Sequence, residues 1–416
     1  MWLLTDGVMQ GSYAPSLFAL AGLALHAACV PLLLRLWQVS GWQVLPAAAV
    51  WAVHPVFLDQ FHFNTALPWY PLAQVLALWA ACQIMTGDKR GKDLSLAGCA
   101  LLASAAIWQP AVILVASAAL LRVVVTKPCT DDLKRGLWLA AVMLLALGIS
   151  TAIGKLVLAA IAADAALPVA ALTQGQKISA IVGEVFSALF DGNQAEPEPV
   201  KLALLMLLAM TVLMVLWLKG LAAAMIASVG IIIAIASSWA PLLVSSEQSL
   251  PLRAMTGLVP VHVMACLAPI WLLHEAGKGR GATMVAMLAS LIAVSLAVVG
   301  NSVTHRMQIM SQTDFARAAV LMERMRQHPD WQPDHPEPYR LMILSKAEPS
   351  PAEEGQAGAL LVSAFENDWA TRRIFRHFGI LFERPLPDEA QAFDTGLMTT
   401  GQPVAIRGRM VVIRLE

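Results

Sequence analysis

Long runs of apolar residues make up most of residues 15–299 of this 416-residue sequence, separated by polar loops that are short except at residues 164–199. A run of this kind suits the hydrocarbon core of a bilayer, which is about 30 Å thick. Hydrophobic residues make up 58% of the chain and charged residues 13%, and the mean hydropathy is +0.66. These values lie outside the range of soluble domains. The sequence therefore predicts a mainly α-helical, polytopic membrane bundle.

About ten runs are candidates for membrane segments. The fourth and fifth runs meet within the sequence "IWQPA", and each is short for a full crossing of the membrane. We therefore expect a hairpin of half-helices there. The ten runs lie near Pro15–Trp37, Val44–Leu58, Pro68–Met85, Leu94–Trp108, Pro110–Val125, Leu137–Ala163, Val200–Leu218, Leu221–Val244, Ala254–Leu273 and Ala282–Val299.

Basic residues concentrate in alternate loops, which the positive-inside rule places in the cytoplasm. The other loops, and the region after Asn301, are then expected on the outer, periplasmic side of a bacterial inner membrane. The basic residues that set this orientation are Lys89, Arg90, Lys92, Lys127, Lys134, Arg135, Lys219, Lys278 and Arg280.

The polar region 301–416 has a different pattern from the rest of the chain. An amphipathic helix is predicted to begin near Asp314, and a second helix at "ENDWATRRIFRHFG". The segments "YRLMIL" and "VAIRGRMVVIRL" have the composition of strands. We therefore expect two domains, a transmembrane domain at 1–300 and a small α/β domain at 301–416.

The sequence lacks the motifs of several other classes of protein. It contains no Walker-type phosphate loop, no GxGxxG after a strand, no CxxC pair, no HExxH and no GxSxG. It has no cluster that implies a metal, and no basic face with interleaved aromatic residues that would suggest nucleic acid. We expect no metal or organic cofactor, and membrane lipid as a partner.

The outer loop "HPVFLDQFHFNTALPWYP" carries more polar chemistry than any other apolar boundary in the chain. His54, Asp59 and His62 could supply acid or base groups there, because partial burial shifts the pKa of carboxylates and imidazoles. The alternative is a polar interfacial loop whose aromatic residues form a membrane belt. Both interpretations remain open from the residues alone.

Three further residues are candidates for substrate binding. Gln109 offers an amide to sugar hydroxyls and Trp108 offers an apolar face; a polar helix break with a packing tryptophan is the alternative. Arg253, in "SLPLRAM", could hold a phosphate in a bidentate manner, or it could be an interfacial arginine that reaches toward water.

The segments "HPVFLDQFHFNTALPWYPLAQVLALWA", "LSLAGCALLASAAIWQPAVIL", "PLRAMTGLVPV" and "GRMVVIRL" occur in an order that resembles the bacterial Gtr-type, serotype-converting glucosyltransferases. That family belongs to the GT-C class of integral membrane enzymes. The resemblance implies an inverting transfer of a sugar from undecaprenyl-phosphate glucose to O-antigen or another lipid-linked glycan of lipopolysaccharide. It implies that the outer loop, with His54, His62 and Asn64, binds the donor or the acceptor, and it places His62 and Asn64 at family positions that hold a basic and an acidic residue.

Members of the resembling family carry an acidic catalytic pair in the outer loop after their first helix. We expect that helix and its pair to be missing from this sequence, in which Asp6 is the first carboxylate. Asp59 and Asp6 are therefore the candidate catalytic bases. The alternatives are a non-catalytic homologue that binds polyprenyl lipid or a partner enzyme, and a transporter or flippase of lipid-linked sugar.

Overall fold

The computed structural model is mainly helical. Residues Asp6, Asp59, His62, Asn64 and Arg253 lie outside its described part. The structure describes residues 15–57, 68–86, 91–126, 130–161, 179, 182–183, 185, 197–239, 255–333, 335, 337–345, 365, 368–383, 385 and 404–415.

The described residues form eleven α-helices, one 3-10 helix at Trp42–Val44 and four strands. The helices are α1 Pro15–Trp37, α2 Leu45–Ala52, α3 Trp69–Thr86, α4 Gly91–Ile107, α5 Pro110–Val125, α6 Thr130–Ile161, α7 Glu198–Lys219, α8 Leu221–Ser237, α9 Leu258–Glu275, α10 Gly279–Gln327 and α11 Asp368–His377. The strands are β1 Tyr339–Ser345, β2 Phe382–Glu383, β3 Val404–Arg407 and β4 Met410–Leu415.

Five helices in the described part are long and apolar enough to cross a membrane, as expected for a helical membrane protein. Three further apolar helices are shorter, so the sequence-based count of ten segments stays a prediction. The five candidate spans are Leu20–Trp37, Thr130–Leu156, Glu198–Lys219, Leu258–Glu275 and Gly279–Gln327, and the shorter helices are Leu94–Ile107, Pro110–Val125 and Leu221–Ser237.

The predicted membrane segment at Val44–Leu58 is wrong as a continuous span. The structure has a 3-10 turn followed by the eight-residue helix α2, which ends at Ala52. Eight residues of α-helix rise only about 12 Å. Pro55 explains the early end, because proline has no N–H for the helix and disfavours the helical conformation of the preceding residue.

The chain divides into two compact units, 1–300 and 301–416. In the first unit, α9 is the central helix: 78% of Leu258–Glu275 is buried, against 22% of Thr130–Leu156. Helix α9 packs against α2, α5 and α7, while α1 packs against α3 and α3 against α4. Gly220, at φ +86, separates α7 from α8 in a backbone conformation that only glycine adopts readily.

The outer helices of this unit expose large apolar side chains. Leu144 on α6 is 71% exposed, and similar residues occur along α7, α8 and α10. Exposed apolar area of this extent would be costly in water and suits contact with lipid. The other exposed residues include Leu145, Leu156, Leu213, Trp217, Met225, Ile232, Met284, Leu291 and Val298.

The second unit contains a four-stranded sheet in the order β2-β1-β4-β3. Strand β1 pairs in parallel with β2 and β4, and β3 forms an antiparallel hairpin with β4 around Gly408. Strands β1, β3 and β4 and the helix α11 occur where the sequence predicted them, whereas the two-residue strand β2 was not predicted. One face of the sheet packs in a core with α11 and the end of α10, formed by Leu321, Met322, Met325, Leu341, Phe375, Ile406, Val411 and Ile413.

The helix predicted to begin near Asp314 has a different start. Helix α10 begins at Gly279 and runs without a break to Gln327, so that Asp314 lies inside it with 4% of its surface exposed. The change from an apolar to an amphipathic pattern along α10 marks a change of surroundings. It does not mark a helix end, because no proline interrupts the run.

Candidate functional site

One end of the first unit is held together by cationic side chains, and we call it the cationic end. Lys219 at the end of α7 donates hydrogen bonds to the main-chain oxygens of Val124, Val125 and Thr126 at 3.0–3.3 Å. Arg135 on α6 donates to the oxygen of Met85 at 2.7 Å. Carbonyls at helix C-termini lack partners within the helix, and cations satisfy them well.

The opposite end of the unit, which we call the aromatic end, is built on the tight link between α4 and α5. Pro110 takes the first helical position of α5, where its missing N–H is harmless. The N–H of Trp108 still bonds to the oxygen of Ser104 at 2.7 Å, so the chain reverses through Trp108 and Gln109 alone. Both side chains are thereby held at the tip of the hairpin.

Tyr70 and Thr151 complete the aromatic end. The ring of Tyr70, on the first turn of α3, lies 4.7 Å from that of Trp108 with an interplanar angle of 39°. The Gln109 amide donates from Nε2 to Thr151 Oγ1 at 3.3 Å. All four side chains are partly exposed, so this end presents two aromatic rings beside an amide and a hydroxyl.

Helices α5, α8 and α9 pack closely together next to the aromatic end. Thr256 Oγ1 donates to the oxygen of Pro110 at 2.8 Å. The hydroxyl of Ser117 lies 3.1 Å from the oxygen of Ala234, and a Cβ on Gly257 would meet Ser117 Oγ at 2.9 Å. A residue larger than glycine therefore does not fit at the start of α9 without movement of its neighbours.

A second cluster of polar groups is buried where α2 ends. His54 Nε2 lies 2.9 Å from His262 Nδ1 on α9, although 208 positions separate the two residues in sequence. The exposed fractions are 1% for His54 and 7% for His262. Around them, His26 stacks on Trp51 at 5.7 Å and meets Phe57 edge-on at 4.2 Å. Two imidazoles thus meet in apolar and aromatic surroundings.

The residues proposed from sequence fall into two groups. Trp108 and Gln109 come together with Tyr70 and Thr151, in the arrangement described above. His54 is instead enclosed, and both of its ring nitrogens face groups of the chain itself; its predicted role in substrate binding stays a prediction. The remaining candidates belong to segments outside the described residues: Asp6, Asp59, His62, Asn64 and Arg253.

Tyr70, Thr151 and His262 were not predicted from the sequence. Tyr70 belongs to the quoted outer loop and was interpreted as an interfacial aromatic residue. Thr151 and His262 are single polar residues in apolar runs, where one side chain carries no periodic signal. Within the described residues, no group of three His, Cys, Asp or Glu side chains could hold a metal ion.

Chemically, the aromatic end offers a surface of two rings for the apolar face of a ring-shaped ligand, with an amide and a hydroxyl for its polar edge. Comparison with models of protein families, with curated proteins and with solved structures finds no match to this chain.

Proposed function

We propose that this chain is a multi-pass inner-membrane glycosyltransferase of the GT-C class. It would move a sugar, glucose by the resemblance noted above, from a polyprenyl-phosphate donor to O-antigen or a related lipid-linked glycan. The reaction would take place at the aromatic end, on the periplasmic side, with about ten membrane segments and unit 301–416 also periplasmic.

The observation that carries this proposal is the partly exposed pair of Tyr70 and Trp108 beside the Gln109 amide. Aromatic rings bind the C–H faces of sugars, and an amide can both donate to and accept from hydroxyl groups. The segment that leads into α3, the helix of Tyr70, contains Asp59 and Asn64. The sequence that carries a possible base, Asp59, therefore leads directly into the helix that contributes Tyr70 to the proposed sugar-binding surface.

The proposed mechanism is a direct displacement. A carboxylate, Asp59 or Asp6, takes the proton of an acceptor hydroxyl as its oxygen attacks the anomeric carbon. The bond from that carbon to the phosphate oxygen breaks, and polyprenyl phosphate leaves with both bonding electrons. Arg253 would hold the departing phosphate, while His62 and Asn64 would bind the substrates.

The distribution of charge supports the proposed orientation. Four cations of the described part lie at or next to helix ends: Arg135, Lys219, Lys278 and Arg280. Two of them, Lys219 and Arg135, donate hydrogen bonds to main-chain carbonyls at the cationic end. The positive-inside rule assigns such an end to the cytoplasm. The aromatic end then faces the periplasm, the side on which the resemblance to the Gtr-type family places the transfer.

A transfer assay tests the proposal directly. The purified chain in detergent is supplied with synthetic polyprenyl-phosphate glucose and a lipid-linked glycan acceptor, and glycan mass is followed. We expect transfer by the chain, loss of transfer in Trp108→Ala, and loss in whichever of Asp59→Asn and Asp6→Asn removes the base. Trp217→Ala, which removes an exposed tryptophan from α7, is the matched control and should retain activity.

The other outcomes decide between the alternatives. Donor binding without transfer by the folded chain would sink the enzyme proposal and support a non-catalytic homologue that binds polyprenyl lipid. Movement of the donor across a proteoliposome bilayer without transfer would support a flippase. Full transfer by Trp108→Ala would show that the aromatic pair is not the sugar-binding surface.

A further inference from the structure

The end of α2 is shaped by a proline and closed by local hydrogen bonds. Pro55 cannot donate to the carbonyl of Trp51, and the N–H of His54 bonds to that carbonyl at 3.4 Å instead. The chain turns helical again at once, with the N–H of Phe57 bonded to the oxygen of His54 at 3.0 Å. His54 therefore occupies the break between two helical stretches inside the bundle.

The hydrogen bonds of His54 define which ring nitrogen carries the proton. The main-chain N–H of Val56 points to Nδ1 at 3.3 Å, so Nδ1 is an acceptor. A neutral His54 then carries its proton on Nε2 and donates it to His262 Nδ1, 2.9 Å away. This tautomer follows from the pattern of partners, since each neutral imidazole has one donor and one acceptor.

The bond between the two imidazoles joins the helix break to the central helix. His262 belongs to α9, which has the largest buried fraction of the five candidate spans, whereas His54 lies in the break after α2. The ring of Phe57 lies 6.2 Å from that of His54, Trp51 packs against Phe57, and both histidines are buried. In such surroundings a hydrogen bond is strengthened, and a polar group without its partner is costly.

We propose that His262 is a positioning residue for the transfer reaction: its Nδ1 holds His54 in one tautomer and one orientation, and thereby holds the helix break that precedes Asp59 in the chain. The inference rests on the proposed function, and His262 itself does not touch substrate. Asp59 follows His54 by five positions in the sequence, and a transfer reaction depends on accurate placement of the carboxylate that takes the acceptor proton.

The kinetic test uses two substitutions at one position. His262→Asn keeps an acceptor oxygen close to the place of Nδ1, whereas His262→Leu keeps bulk and removes the acceptor. We expect His262→Leu to lower kcat by about 10- to 100-fold with KM for the polyprenyl-phosphate glucose donor nearly unchanged, because a buried polar group loses its partner. His262→Asn should stay within about 3-fold of the unsubstituted chain.

His274→Leu is the matched control, because His274 is an exposed histidine on the same helix. It should leave kcat and KM unchanged. Equal losses in His262→Asn and His262→Leu would overturn the proposal, as would a loss in His262→Leu that only follows a smaller fraction of monodisperse, folded protein. Either result would indicate a packing role for the ring.

A spectroscopic readout separates this inference from the proposed function. The chain is labelled with ¹⁵N-histidine, and the His54 signals are identified by their absence in His54→Gln. We expect one protonated and one unprotonated ring nitrogen for His54, unchanged in His262→Asn and shifted in His262→Leu. Unshifted signals in His262→Leu would overturn the proposed bond. If the unsubstituted chain transfers no sugar, the proposed function and the kinetic role of His262 both fail. The spectrum would still show whether His54 donates its hydrogen bond to His262.

Discussion

Arg122 on α5 donates from Nη1 to the main-chain oxygen of Leu36 on α1 at 3.0 Å. Its other terminal nitrogen lies 3.3 Å from Asp132 Oδ1, on the first turn of α6. One side chain thus ties three helix ends together at the cationic end, and it is 5% exposed. A cation buried to this degree needs both partners, because neither water nor lipid replaces them there.

Replacement of Arg122 by Met is expected to lower the free energy of unfolding by about 2–3 kcal/mol. The substitution keeps much of the apolar stem but leaves the Leu36 carbonyl and the partly buried Asp132 without their charged donor. Chemical denaturation in mixed micelles measures the effect. Arg280→Met, at an exposed arginine of α10, is the control, and equal midpoints for the two variants would contradict this account.

Gly257→Ala should destabilise the packing below the aromatic end. A Cβ there would lie 2.6 Å from Ser238 Oγ and 2.9 Å from Ser117 Oγ. Overpacking of this kind costs about 1–3 kcal/mol. The same denaturation measurement checks it, with Gly148→Ala on α6 as the control, because nothing lies within 4 Å of the added methyl group there. Equal stability of the Gly257→Ala and Gly148→Ala variants would contradict this expectation. It would show that the side chains around Gly257 move away from the added methyl group at little cost.

The Gln109–Thr151 pair tests whether the amide acts on substrate or only on its neighbour. If Gln109 binds a sugar hydroxyl, Gln109→Ala should lower kcat/KM for transfer by about 10-fold, equal to 1.4 kcal/mol. Thr151→Val removes only the 3.3 Å bond to Thr151 Oγ1 and should lower kcat/KM by less than about 3-fold. Equal losses in both variants would instead make Gln109 a structural residue.

Much of the helical framework could be predicted from the sequence, because it depends on local composition. The predicted segments Pro15–Trp37 and Pro110–Val125 coincide with α1 and α5. The prediction at Val44–Leu58 was wrong because an apolar run was given more weight than the proline inside it. The start at Asp314 was wrong because amphipathicity reports the surroundings of a helix and does not report its ends.

The candidate site was less predictable, since its contacts join distant parts of the chain. Trp108 and Gln109 carried a local signal, the break before Pro110, and the structure places them at a hairpin tip. The partnership of His54 with His262 spans 208 positions and has no sequence pattern of its own. A single polar residue in an apolar run shows that a partner is needed, but it does not show which residue supplies it.

Reporter fusions test the proposed orientation. Alkaline phosphatase is active only outside the cytoplasm, so a fusion after Glu416 should be active and a fusion after Lys278 inactive. The physical reason is the charge next to α10: Lys278 lies over the ring of Trp217 at 4.1 Å, and Arg280 is exposed nearby. Basic residues close to a span retain their loop in the cytoplasm, so the apolar first part of α10 would carry the following residues across. Activity of the Lys278 fusion and silence of the Glu416 fusion would reverse the orientation, and the aromatic end would then face the cytoplasm, away from periplasmic glycans.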